Sequence, residues 1–552
     1  MSPGAETSPT SQPETVELTG RYGKRSRRGC WTCRSPQVKK RCDEQRPVCG
    51  RCSRLNILCD YSARLTKAER RKAERSSQPT ASHGNPPDLS LSIVTVSAPR
   101  TGACSLELSD EDHEAIRYFR TAFAKSHHTK NPDYSLISIM FTLAQEEPMI
   151  MHMVLSLGMQ EMDIRRHSQT LSRRRDPLQH YAAALSLLAD AVAPDNGSQD
   201  LDVIYTALWL MLLYEQQFGD SECKAYTKHL EGTSSLLQHR SQQLCLPPSP
   251  SSMPMAQTPV LSRHLDPQRN LHGSVYSARI LVWIALLDAA AASSGVGGHV
   301  NAALFRKLVG NNTQSTTRST SPVEAFSRFH RFSNPLYRMQ WGDKYPQAEL
   351  LDDVENRNIY ALLGQCSQLR YMVAQLAVLY QKDSAAATQK APDVDSAIEQ
   401  VGYLFTELME VAIELSPHTD NSHRLVANIR AIVPMYYAVL LDFMRLTNTN
   451  EPLGDRQRLA LREIMNLAYQ SYKHDGDAAM TRVAWPLFIA ALETDDLLHR
   501  DWIVERFAAI SNYGKNFERA HRFLLGTIPL QQQLGRRIDL REQLASTEHF
   551  VL

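Results

Sequence analysis

Six cysteines, Cys30, Cys33, Cys42, Cys49, Cys52 and Cys59, lie within thirty residues of one another. Their spacing, Cys-x2-Cys-x8-Cys-x6-Cys-x2-Cys-x6-Cys, runs through one pattern twice. A doubled Cys-x-x-Cys in a chain that keeps its thiols reduced is a zinc pattern, because thiolates two residues apart can bind the same ion. Structural zinc takes four ligands in a tetrahedron, so two independent sites need eight donors. Only six cysteines are present, and the first histidine is His83, beyond a linker. Two arrangements satisfy the count. One zinc takes four thiolates and leaves two cysteines over, or two zincs share two bridging thiolates. The near-equal spacing of the halves favours sharing. In either case no coordination position is left open for substrate or water, which makes the site structural and not catalytic.

Charge surrounds this cluster unevenly. From Arg21 to Arg75 there are 18 Lys and Arg against 5 Asp and Glu, while the rest of the chain carries 43 against 54. A basic head on an acidic body reads as a polyanion-binding surface, of which nucleic acid is the commonest partner. "KRSRR" at 24–28 and "KAERRKAER" at 67–75 extend it as phosphate-contact or nuclear-import segments.

"GCWTC", "VKKRCDEQRPVCGRCSRLNILC" and these flanks resemble the fungal Zn(2)-C6 binuclear zinc cluster, the DNA-binding module of a family of transcription regulators. The resemblance implies two Zn2+ bridged by the thiolates of Cys30 and Cys49. Cys33 and Cys42 then complete one metal, and Cys52 and Cys59 the other. It implies double-stranded DNA as partner, read at CGG-type half-sites, contact with the transcription machinery, and a nuclear protein. Pro47 matches the proline that shapes the family's loop between the halves.

Family members usually carry six residues between the second and third cysteines, in a short helix that enters the major groove. Here there are eight, "RSPQVKKR". Counted forward from Cys33, the base-reading lysine falls on Gln37; counted back from Cys42, it falls on Lys39. Two extra helical residues rotate a side chain by about 200°, so only one register can hold. Pro36 is tolerable in a first helical turn, which requires no amide donor. Gln37 would suit adenine, and Arg34, Lys40 and Arg41 join the candidate DNA contacts. After the cluster, Leu65, Ala68, Arg71, Lys72 and Arg75 form no apolar heptad. That leaves monomeric binding, or a homodimer formed through the body.

The elements that carry this head read as follows. Residues 1–20 read as a disordered tail, 21–60 as the zinc module, 61–107 as a basic segment and flexible linker, and 108–552 as an all-helical regulatory domain of packed antiparallel helices. Ser109 before acidic residues is a helix start, after which Ile116, Phe119 and Phe123 share a face. Helical segments follow at 201–216, 222–240, 276–293, 352–382, 396–415, 423–446, 455–474 and 484–525, with loops at 241–270 and 311–322. "HLEGTSSLL", "SARILVWIALLDAAAASSGVGG", "QWGDKYPQAELLDDVENR" and "WPLFIAALETDDLLHRDW" resemble the helical regulatory region of the same family. Trp209, Trp283 and Trp485 on apolar helices read as core, and Cys104, Cys223, Cys245 and Cys366 as small buried or incidental residues.

Other classes fit less well. "HEAIR" at 113–117 starts like a metalloprotease motif, but Arg117 occupies the second ligand's place. No nucleophile elbow or phosphate-binding loop occurs. The first 20 residues lack a basic start and an apolar stretch, and the longest apolar run, 203–214, is short for a membrane span. The expectation is a nuclear, zinc-dependent, sequence-specific regulator of RNA polymerase II genes, in a metabolic or secondary-metabolite cluster, and not an enzyme. The rival is a helical scaffold whose altered cluster no longer reads DNA.

Overall fold

A computed structural model describes residues 30, 33, 42–46, 48–55, 59, 106–166, 176–193, 200–240, 268–309, 321–420, 423–449 and 452–552. The chain divides into two compact units, Met1–Ala98 and Pro99–Leu552. The second is all-helical, with no strand among the described residues. The tail at 1–20, Pro47, most of the loops at 241–270 and 311–322, and Cys104 and Cys245 lie outside the described residues.

The first helix of this unit, Asp110–Tyr118, starts where its sequence says it should. Ser109 accepts the amide of Asp112 while Asp112 takes the amide of Ser109, so two orphan donors are satisfied reciprocally. Phe119 and Phe123 then stack at 4.6 Å within a short π-helical turn and are fully buried. Helix Pro148–Arg166 crosses this first helix so closely that a Cβ on Gly158 would stand 2.7 Å from the carbonyl of Ala115. Only glycine allows that approach.

Two hydrophobic cores follow in order along the chain. The first gathers helices between Asp110 and Trp341 around Leu201–Phe218, which is buried on nearly every side. The second gathers helices from Arg357 to Leu534 around Arg424–Thr447 and Ala484–Glu493. A polar seam ties them. Lys130, almost fully buried, donates to Glu349 at 3.1 Å and Asp353 at 2.6 Å, while Thr129 donates to Asn428 at 2.8 Å. The end of the chain makes a second tie, since Val551 packs in the first core and Phe550 in the second.

Several elements depart from their sequence reading. The run 484–525 is three helices, Ala484–Glu493, Leu497–Ile510 and Lys515–Leu534, because Asp496 accepts the amides of Leu498 and His499 and starts a new one. The run 352–382 breaks at Asn356, and 396–415 breaks at Phe405. Helix Gln268–Ser293 begins inside the expected loop at 241–270, and helix Pro322–Ser333 starts at the edge of the loop at 311–322. Helices Leu136–Ala144, Pro148–Arg166, Pro177–Val192 and His299–Val309 had no counterpart in that reading.

Helices Val275–Ser293 and Arg424–Thr447 are long and apolar enough to cross a membrane by length and composition. Most of each is buried inside the fold, where it forms the centre of a core. Cys223 and Cys366 are buried, as expected of small apolar side chains.

Candidate metal centre

Both Cys-x-x-Cys pairs fold the same way. The amide of Cys33 donates to the sulfur of Cys30 at 3.4 Å, and the amide of Cys52 to the sulfur of Cys49, also at 3.4 Å. In the second pair this contact caps the short helix Gly50–Arg54. The turn aims both sulfurs of a pair to one side, where they can share an ion.

The two pairs then meet. Sulfurs of Cys30 and Cys49 are 3.8 Å apart, Cys30 and Cys52 3.8 Å, Cys33 and Cys49 3.7 Å, and Cys33 and Cys52 3.9 Å. A tetrahedron of thiolates around zinc, with bonds of about 2.3 Å, has edges of about 3.8 Å. The spacing therefore fits thiolate-bound zinc. All four cysteines are buried.

The remaining two cysteines stand beside this group. Cys42 lies 3.9 Å from Cys30 and, with Asp43, close to Cys49 as well. The amide of Cys49 donates to the sulfur of Cys59 at 3.3 Å. All six candidate ligands thus come together, and Cys30, Cys33, Cys49 and Cys52 each stand beside a sulfur of the other half.

The loop between the halves depends on residues the sequence reading did not single out. The carboxylate of Asp43 accepts the amides of Gln45 at 3.3 Å and Gly50 at 3.2 Å, which closes the chain from Cys42 back toward Cys49. A Cβ on Gly50 would sit 2.7 Å from that carboxylate. Glu44 turns the corner with φ of 62°, a left-handed conformation. Arg51 sends Nη1 to the sulfur of Cys33 at 3.8 Å, and a cation there offsets thiolate charge. An acid directly after the third cysteine and a glycine directly after the fourth were the available signals.

Without metal the thiols resist ionisation unequally. Burial pushes Cys52 up to about 12 and raises Cys30 further. Burial acts the same way on Cys49, but the amide and thiol of Cys52 and the thiols of Cys33 and Cys30 outweigh it and hold Cys49 at about 6.

Of the candidate DNA contacts, Arg34, Gln37, Lys39, Lys40 and Arg41 all lie outside the described residues. The expected core tryptophans Trp209 and Trp485 are buried, and Trp283 packs edge-on to His128 at 5.0 Å.

Comparison with known proteins places these features. Residues 28–68 match the fungal Zn(2)-Cys(6) binuclear cluster domain, and residues 116–526 match the fungal specific transcription factor domain. Over 41 residues the chain is 54% identical to Sterol uptake control protein 2 of Candida albicans, a match covering 7% of this chain and 6% of that protein. It is also 54% identical over 41 residues to Transcriptional regulatory protein UME6 of Saccharomyces cerevisiae, covering 7% of this chain and 5% of that one. The likeness to both relatives is therefore confined to a small part of each chain. No solved structure matches.

Proposed function

The chain belongs to the fungal specific transcription factor family, with a binuclear zinc cluster at its head, and on that footing we propose that it regulates RNA polymerase II genes in the nucleus by zinc-dependent, sequence-specific DNA binding. The convergence of six cysteines inside a basic segment supports this reading most strongly. In it, Cys30 and Cys49 bridge the two metals, Cys33 and Cys42 complete one, and Cys52 and Cys59 the other. Metal binding supplies the folding free energy that so small a module cannot draw from an apolar core.

The module presents the segment between Cys33 and Cys42 to the major groove. Either Gln37 or Lys39 reads a base, while Arg34, Lys40 and Arg41 hold phosphates. CGG-type half-sites are the expected target, occupied by one chain or by a homodimer formed through the body. The helical region regulates, and no catalytic step is assigned to it. The name of the sterol uptake relative does not extend to this chain's target genes, because that match covers only 41 residues. A metabolic or secondary-metabolite cluster stays the pathway proposed.

One observation favours a second reading. The eight-residue gap with Pro36 departs from the family's six, which suits a scaffold whose cluster no longer reads sequence. Selection of the full chain on random-sequence DNA separates the two: an enriched motif supports the regulator, and a pool with no motif supports the scaffold. Repeating the selection with Gln37→Ala and with Lys39→Ala assigns the register, since loss of the base reader relaxes one position of the motif.

A further inference from the structure

Helix Pro177–Val192 is apolar on two faces. Pro177, Ala184, Leu188 and Ala191 are buried against the first core, with His180 among them. About a third of a turn round the helix, Leu178, Ala182, Leu185, Ala189 and Val192 follow one another at steps of four, three, four and three residues. All five are exposed, Leu178 at 56% and Leu185 at 43%. Such steps are the seam of a helix pair, and a second apolar face is what a helix carries when it packs twice.

The inner face is fixed by polar ties. His180 lies 3.3 Å from the carboxylate of Asp112, Tyr181 and His229 share a hydrogen bond of 2.8 Å, and Ser156 donates to the carbonyl of Pro177 at 3.0 Å. These hold the helix in one rotation, so the second face does not roll into the core. Charge does not guard it either. An ordinary surface helix turns charged residues outward, but Asp190 alone is charged among the exposed residues of this one.

The exposed seam reads nearly the same in both directions about Leu185. Turned end for end, it sets Leu185 against Leu185, Ala182 against Ala189, and Leu178 against Val192. A two-fold contact between identical surfaces requires this self-complementarity. Small residues face small ones on either side of the central leucines, which lets two helices approach closely. Antiparallel pairing also sets each N-terminus beside the other copy's C-terminus, where opposite dipole ends attract. The two Asp190 carboxylates fall about 15 Å apart along such a pair, beyond the screening length of about 8–10 Å, so no like charges meet.

We propose that two copies of this chain pair through helix Pro177–Val192, antiparallel about Leu185. The area sets the strength. A strip about 24 Å long and 10 Å wide falls well short of the roughly 800 Å² that each partner gives a stable interface. The pair is therefore weak between free chains and strengthens where two chains sit on neighbouring half-sites at an effective concentration near millimolar. That use on DNA rests on the regulator reading above, whereas the pairing of free chains does not.

Sedimentation of the full chain without DNA tests the pairing. Between about 1 and 100 µM, the range of a weak interface, the chain should pass from monomer toward dimer. Leu185→Glu sets two carboxylates together at the axis and should weaken association by more than about tenfold, with the helical signal and its urea midpoint unchanged because the position is exposed. Ala182→Glu and Ala189→Lys should each weaken it alone, and mixing the two variants should restore it, because only the antiparallel register sets residue 182 against residue 189. A chain that stays monomeric throughout would overturn the proposal and leave the seam to a helix of another protein. Dimerisation that survives Leu185→Glu, or variants that do not recover on mixing, would overturn it as well. DNA binding is not read in any arm, so failure here leaves a regulator that binds as a monomer standing.

Discussion

The sulfurs of Cys30 and Cys49 stand 3.8 Å apart although nineteen residues separate them in the chain. Cys30 also approaches the sulfur of Cys52 in the other half and that of Cys42 in its own, and Cys49 approaches that of Cys33. A six-thiolate cluster that holds two metals shares two of its ligands, and Cys30 and Cys49 are the pair proposed for those positions; Cys33 and Cys52 approach sulfurs of the other half as well.

Substitution distinguishes shared from terminal ligands. In the full chain, Cys30→Ser or Cys49→Ser should lose both zincs, whereas Cys59→Ser removes a ligand from one metal and should retain the other. Zinc per chain after desalting is the readout. Equal loss from all three variants would contradict the assignment of bridges.

DNA affinity should fall steeply with salt. The head carries 18 Lys and Arg against 5 Asp and Glu between Arg21 and Arg75, and each phosphate contact releases counterions. Between about 50 and 200 mM salt the affinity should drop by orders of magnitude if six or more phosphates are contacted. Titrations of a labelled duplex at several salt concentrations give the slope. A flat response would remove the electrostatic footprint.

How far the sequence announces all this depends on how local each interaction is. The cysteine spacing is legible because both pairs close within three residues, and the start at Ser109 is legible because its partner, Asp112, is one turn away. Asp43 and Arg51 stay hidden because their roles rest on the left-handed turn at Glu44 and on the return of the chain to Cys33. Helix Pro148–Arg166 escapes notice because "MIMHMVLSLGM" is apolar on almost every face, so it lacks the periodicity that marks a surface helix. The pairing of Lys130 with Glu349 spans 219 residues, and no local pattern signals it. Trp485 is core, as its setting indicates, yet the guanidinium of Arg370 that lies 3.8 Å over its ring comes from a distant helix, which no local pattern signals.

The helical region should depend strongly on Glu493. Its carboxylate is buried between Arg445 at 2.6 Å and Arg537 at 2.8 Å. Removing one partner of a buried ion pair leaves charge uncompensated and costs about 3–5 kcal/mol. Glu493→Ala should therefore lower the unfolding free energy read from urea titration of the helical signal by an amount in that range, while zinc content stays unchanged. A loss below about 1 kcal/mol, the scale of an exposed pair, would mean the cluster is solvated.

Acid should act through His229, which is buried against Tyr181 at 2.8 Å. Burial lowers its pKa to about 4 from an ordinary value of 6.5. Because the folded value is depressed, the unfolded chain binds the proton more readily below pH 6.5. The stability tied to neutral His229 is thus full above pH 6.5 and is lost as pH falls toward 4. His229→Gln keeps a polar partner for Tyr181 but cannot titrate, so the variant should gain on the parent by up to about 1.4 kcal/mol per pH unit across that window. Parallel urea titrations at several pH values test the sign, and a constant difference would contradict it.

Metal content of the native full chain tests the shared cluster most directly. Elemental analysis, combined with alkylation of accessible thiols under native conditions, should give two zincs per chain, with all six cysteines from Cys30 to Cys59 protected. One zinc per chain, with two of those six thiols alkylated, would contradict a bridged binuclear centre.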